Sequence, residues 1–189
     1  MSKVRWWLYV AALVCIVVAA FLYQQGKLGV VDTKTFLHTE PGSYAVGRFD
    51  DGDTIEVDMG GTIERIRFIG IDTPETHKPN TPVQCYGPAA SAYTKQRIGT
   101  QRVRLVSDSL TTNRDRYDRL LRYVVLEDGT NLNLELVQKG YAFAYAFPFA
   151  RSDKFNQAME QARKDKLGLW GNCAPYQDPA TGQWHTPDA

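Results

Sequence analysis

Residues 51–75 constrain this chain more than any other stretch. They read Asp51-Gly52-Asp53-Thr54, then an alternating run, then Arg67-Phe68-Ile69-Gly70-Ile71-Asp72-Thr73-Pro74-Glu75. Asp-Gly-Asp-Thr is turn chemistry, with Gly52 free to take a left-handed backbone conformation. Residues 55–58 and 62–71 read as two strands, with Gly60-Gly61 as the reversal between them. Folded as a hairpin, the stretch brings Asp53, at the start of one strand, near Asp72, at the end of the other. Arg67 lies five residues before Asp72, so the two face opposite sides of an ideal strand. A bulge or twist near Gly70 would return them to one site. Two carboxylates, with a third at Glu75, then gather at one end of a sheet.

The rest of the chain supplies partners for that hairpin. Residues 43–49 form a first strand leading into the Asp51 turn. Gly87-Pro88 opens a helix that runs to Ile98 and stops at Gly99, with Ala89, Ala92, Tyr93 and Gln96 as its packing face. Strands follow over 101–107 and 119–126, separated by a polar loop. Leu132, Leu134, Leu136 and Val137 suit a short buried helix ended by Gly140. Residues 141–149 read as part strand and part loop. Ser152 is placed to cap a last helix over 153–166, where Phe155, Met159 and Ala162 repeat at helical spacing. Short strands with three helices inserted late predict an α+β fold, a small barrel with helices packed on it. Residues 173–189 form a C-terminal tail, of which 175–189 have little to bury and are expected to fray.

Residues 6–23 are uncharged and apolar and follow Lys3 and Arg5. Such a run at an amino terminus reads as a signal-anchor segment spanning 1–27, with the remainder of the chain outside the cytoplasm. Val18-Ala19-Ala20 also offers a cleavage site, which would make the protein secreted instead. Residues 28–42 are polar and irregular and read as a linker. In an oxidising compartment Cys85 and Cys173 are either a disulfide or two thiols. Lysines and arginines number 22 against 21 acids, but Lys3, Arg5 and Lys27 all precede residue 28, where there is no acid. The domain is therefore slightly acidic, which argues against a general polyanion binder and for a local phosphate site.

Asp53 and Asp72 are hard oxygen ligands, and with no His or Cys cluster beside them calcium or magnesium suits them better than zinc. Glu75, its backbone fixed by Pro74, could orient or deprotonate water beside a metal-bound phosphate. Arg67 and Arg119 could each grip two phosphate oxygens. Taken singly, each has an ordinary reading: turn aspartate, solvated glutamate, surface ion pair. As a set they suit phosphodiester hydrolysis.

Five motifs together resemble the staphylococcal nuclease (thermonuclease) family: Asp51-Gly52-Asp53-Thr54, Arg67 through Asp72-Thr73-Pro74-Glu75, Tyr86-Gly87-Pro88-Ala89-Ala90-Ser91, Asp115-Arg116-Tyr117-Asp118-Arg119 and Lys166-Leu167-Gly168-Leu169-Trp170. The likeness covers residues 43–172. It implies a five-stranded OB-type β-barrel with three helices and a monomeric Ca²⁺-dependent endonuclease. The implied substrates are DNA and RNA, single-stranded or unwound, left with 3′-phosphate ends. It further implies that Asp53, Asp72 and the Thr73 carbonyl hold Ca²⁺, that Glu75 positions water, and that Arg67 and Arg119 bind the phosphate. Tyr117 matches a nucleotide-binding tyrosine; Tyr145 is either a second one or a core residue. The family turn reads Tyr-Gly-Arg where this chain has Tyr117-Asp118-Arg119. Two rival readings are a non-catalytic OB-fold nucleic-acid-binding module and an envelope interaction module on the same scaffold.

Overall fold

Alternation over 54–58 and 63–68 has the period that buries one face of a strand, and a computed structural model of the chain pairs these segments as expected. The structure describes residues 42–77 and 81–189. The apolar run 6–23 and nearly all of the linker lie outside the described residues. Among the described residues no helix is long and apolar enough to cross a membrane.

Strands β1 (Ser43–Asp51), β2 (Thr54–Asp58), β3 (Ile63–Phe68), β5 (Val103–Val106) and β6 (Leu120–Val125) close a barrel in the order β1-β2-β3-β6-β5. The β3–β6 pair is parallel; the other contacts are antiparallel. Closure satisfies both edges of a small sheet. Ile55, Val57, Ile66, Phe68, Val103, Leu105 and Val124 fill the interior. This is the OB-type barrel expected from the sequence. The stretch read as a single strand over 62–71 is instead two. It breaks at Gly70, whose φ of 78° is left-handed, and resumes as β4 (Ile71–Asp72), paired with β7 (Phe143–Ala144). A side chain at Gly70 would also strike the Phe149 ring, 2.5 Å away.

Helices α1 (Gly87–Ile98), α2 (Leu132–Gln138) and α3 (Ser152–Lys164) pack on the barrel, followed by one turn, α4 (Leu169–Asn172). The expected face of α1 holds only in part: Ala89 and Tyr93 are half-buried, Tyr93 against the core. Ala90, Thr94 and Ile98 are buried while Ala92 and Gln96 are exposed. The small residues around this helix do not define a stripe. The buried face is selected by Thr94, whose hydroxyl donates to the Gly52 carbonyl at 2.6 Å. Ser152 is not a cap but the first residue of α3, and Arg151 takes the cap position with no side-chain bond. Buried Asn133 ties α2 to the barrel. Its amide donates to the carbonyls of Ile69 and Arg122, and its oxygen accepts from Val124 N–H. The Gly70 turn is thereby anchored from below.

The C-terminal tail does not fray. Strands β8 (Tyr176–Gln177) and β9 (Trp184–His185) form a hairpin. Trp184 stacks on Phe143 with ring centroids 6.2 Å apart and meets Trp170 edge-on. The sulfurs of Cys85 and Cys173 are at bonding distance, 1.97 Å. One aromatic anchor, one disulfide and main-chain pairing hold a segment whose composition gives little sign of burial.

Candidate active site

At the turn of the β1–β2 hairpin, Asp51 pairs with Thr54 across the two residues Gly52-Asp53. Gly52 does not use its left-handed freedom; it is absent from the residues with positive φ. Its lack of a side chain matters for space instead, since a Cβ would lie 2.9 Å from Thr73 and 3.1 Å from Ala90. That close approach brings the turn against the strand bearing Asp72. Asp53 is buried (6% exposed). One of its oxygens accepts from the Thr54 hydroxyl, and the other accepts from both the backbone and hydroxyl of Thr73 at 2.9 and 3.0 Å.

The break at Gly70 decides where Arg67 points. Its guanidinium wraps the turn, donating to the carbonyls of Phe68 and Ile71 at 3.1 and 2.8 Å. The same group reaches Asp53 at 3.1 Å and Asp72 at 2.7 Å. Burial alone would disfavour its charge, but the Asp53 and Asp72 carboxylates more than offset this and hold its pKa above the ordinary arginine value. Asp51 sits at the rim of the same acidic cluster. Burial, then the neighbouring Asp53 charge, push its pKa up, against hydrogen bonds from Gly52 and Thr76.

Glu75 follows on an extended strap. Its N–H donates to the Gln84 side chain at 2.8 Å, and its carbonyl accepts from the Gln84 N–H at 2.9 Å. Arg119 approaches from the β5–β6 connection and is held by Asp115. That carboxylate takes the guanidinium at 2.7 Å on one oxygen and the N–H groups of Tyr117 and Arg119 on the other. Burial would raise the Asp115 pKa, but these bonds, Arg119 foremost, lower it. Asp115 stood in a quoted motif without a role; its signal was its spacing, two and four residues before the amides it accepts from.

Asp118 does adopt the left-handed conformation that a glycine would supply, with φ 63°. Its side chain is 88% exposed and turns toward Arg114, 3.5 Å away, rather than toward Arg119. Left-handed backbone is unfavourable for a residue with a Cβ, and an exposed pair of this length contributes little. We therefore expect Asp118→Gly to raise stability by up to about 1 kcal/mol, read as a higher urea midpoint. A lower midpoint would show that the aspartate stabilises the turn.

Asp51, Asp53, Arg67, Asp72, Glu75 and Arg119 line one cleft of about 1050 Å³. Tyr117 and Tyr145 line it too. Tyr117 is 62% exposed and lies under the guanidinium groups of Arg116 and Arg119, with centroid distances of 4.8 and 5.4 Å. Tyr145 is half-buried, 6.0 Å below Arg67 and 5.1 Å from the exposed ring of Phe147. Phe147 was not anticipated, nor were Gln183, Trp184 and His185, which the C-terminal hairpin adds to the wall.

The donor set suits a hard cation in kind. Asp53 and Asp72 offer carboxylates and Thr73 a carbonyl, with no sulfur or imidazole between them. Among the described residues no three His, Cys, Asp or Glu side chains form a metal cage. Two carboxylates completed by a carbonyl and waters are within the range Ca²⁺ accepts.

The family model for staphylococcal nuclease homologues matches residues 65–172. The chain is 44% identical over 161 residues to a thermonuclease of Staphylococcus intermedius, covering 83% of this chain and 92% of that protein. It is 45% identical over 133 residues to a thermonuclease of Staphylococcus hyicus, covering 69% and 76%. It is 37% identical over 131 residues to the endonuclease YncB of Bacillus subtilis, covering 68% and 61%. With the closed barrel and its helices, these matches establish that the chain belongs to the staphylococcal nuclease family.

Proposed function

We propose that this protein is a Ca²⁺-dependent endonuclease of low sequence specificity, cutting DNA and RNA to 3′-phosphate ends. The observation that carries the reading is the meeting of Asp53, Asp72 and Glu75 with Arg67 and Arg119 in one cleft. The thermonuclease and endonuclease relatives support the same class of reaction. We further propose that residues 6–23 anchor the domain to a membrane outside the cytoplasm, as the flanking Lys3 and Arg5 suggest.

Asp53 and Asp72, with the Thr73 carbonyl, would hold Ca²⁺, which supplies positive charge to the scissile phosphate. Arg67 and Arg119 grip non-bridging phosphate oxygens and stabilise the extra charge of the pentacoordinate transition state. Both arginines are already oriented by carboxylates, so little rotamer freedom remains to be lost on binding. Glu75 takes the proton of a water whose oxygen bonds to phosphorus. The P–O5′ bond breaks, leaving the phosphate on the 3′ side, and the departing O5′ takes a proton from solvent to become a hydroxyl. Tyr117 and Tyr145, with Phe147, offer rings on which bases stack without their sequence being read.

The test mixes the purified chain with single-stranded DNA in calcium and then in excess chelator. We expect degradation that needs calcium. Asp72→Asn should raise the calcium concentration for half-maximal rate by about tenfold or more; Asp72 is preferred because Asp53 also braces the turn. Degradation undiminished in chelator would refute the metal assignment. Binding without any cleavage would favour the non-catalytic module.

A further inference from the structure

Residues 186–189 are built into the support of one of the groups given roles above. Residues 83–85 lie between two partners. On one side Gln84 makes the two bonds to the Glu75 main chain, at 2.8 and 2.9 Å. On the other, residues 186–189 run antiparallel to the same segment. Cys85 N–H donates to the Pro187 carbonyl and Ala189 N–H to the Val83 carbonyl, each at 2.8 Å, and Gln84 bridges Asp188. Thr186 is almost fully buried, and its hydroxyl donates to the Cys85 carbonyl at 2.8 Å. The disulfide to Cys173 fixes the same point from α4. Gly87 completes the clamp: a Cβ there would lie 2.8 Å from the Glu75 carbonyl, so helix α1 abuts the strap directly.

We propose that residues 186–189 position Glu75 for the reaction, acting through Gln84, so that the C-terminus is a working part of the active site. The inference rests on the nuclease reading. A base that must meet water and phosphorus together loses about a hundredfold in rate when displaced by roughly 1 Å, and its backbone needs a rigid support. Glu75 lies on an extended strap outside the barrel strands. Its main chain is braced by a segment that is itself the middle strand of a three-part clamp. Gln84 and the terminal residues are therefore positioning residues; neither is expected to touch the substrate.

The test compares the full-length parent with Gln84→Ala, Gln84→Glu, Thr186→Val and a deletion of residues 186–189. Each is assayed in saturating calcium on a defined single-stranded oligonucleotide, below its own melting temperature. We expect the deletion and Gln84→Ala to lower kcat about tenfold or more with KM within about twofold. Gln84→Glu keeps an acceptor oxygen and should recover most of that loss, which a merely structural role would not predict. Thr186→Val perturbs the clamp without shortening the chain, so it keeps the test alive if the deletion does not fold. A deletion with parental kcat per folded molecule overturns the inference. Hydrogen exchange of the Glu75 amide provides a readout without catalysis. Exchange should accelerate in Gln84→Ala and in the deletion, and unchanged protection overturns the clamp even if the parent proves inactive. An inactive parent with the exchange result as expected would instead refute the nuclease reading alone.

Discussion

Replacing Glu75 by glutamine is expected to lower turnover on single-stranded DNA by about 10²–10⁴-fold while leaving nucleotide binding nearly intact. The substitution preserves size, and the bonds that hold this residue to Gln84 use its main chain, so the strap should keep its place. What is lost is a group able to take a proton. In the proposed mechanism affinity should survive, because the phosphate grip is assigned to Arg67 and Arg119 and the stacking rings to Tyr117 and Tyr145. Removing one negative charge from a cleft that already holds Asp51, Asp53 and Asp72 cannot weaken attraction for a polyanion. Single-turnover rates and fluorescence-anisotropy titrations in calcium separate the two quantities. A variant as fast as the parent would show that another group activates the water. A variant that no longer binds would show that Glu75 shapes the cleft rather than the reaction.

The site was legible where its parts are local in sequence. Asp53 and Asp72 could be paired because Gly60 and Gly61, both with positive φ, reverse the chain between them at a readable place. Gly87-Pro88 marked the start of α1 for the same reason. The Arg67–Asp72 contact depended on Gly70 breaking the strand, a possibility that alternation raises but cannot decide. The α1 face was read only in part because its choice is made by Thr94 reaching the Gly52 carbonyl, a tertiary bond between residues 42 positions apart. Least visible was the C-terminus. Hydrophobic pattern predicts segments that fold by burying apolar area, whereas residues 186–189 are held chiefly by backbone pairing to 83–85. Main-chain pairing leaves no trace in composition. The one readable clue was the pair Cys85 and Cys173, which already tied the end of the chain to the segment before α1.

That same pair carries the largest expected effect on stability. The bridge spans 88 residues, and in the chain-entropy model closing a loop of that length disfavours the unfolded state by about 4 kcal/mol. For a domain of this size that amounts to roughly 10 °C in melting temperature. We expect the reduced protein and the Cys85→Ser/Cys173→Ser double variant to melt together, well below the oxidised parent. Their agreement matters, because the two lose the covalent link in different ways. Reduction keeps both sulfur atoms, whereas serine removes the packing of the Cys173 sulfur against the core; a packing effect would separate the two, a loop-closure effect would not. A parent that shows three titratable thiols before reduction, Cys15 included, and melts unchanged after it, would rule the bridge out. The midpoint also bears on catalysis, since Cys85 is the residue after Gln84. If the bridge serves the Glu75 strap as well as the fold, the double variant should lose kcat at temperatures where it is still fully folded. If it serves the fold alone, kcat per folded molecule should follow the parent until melting begins.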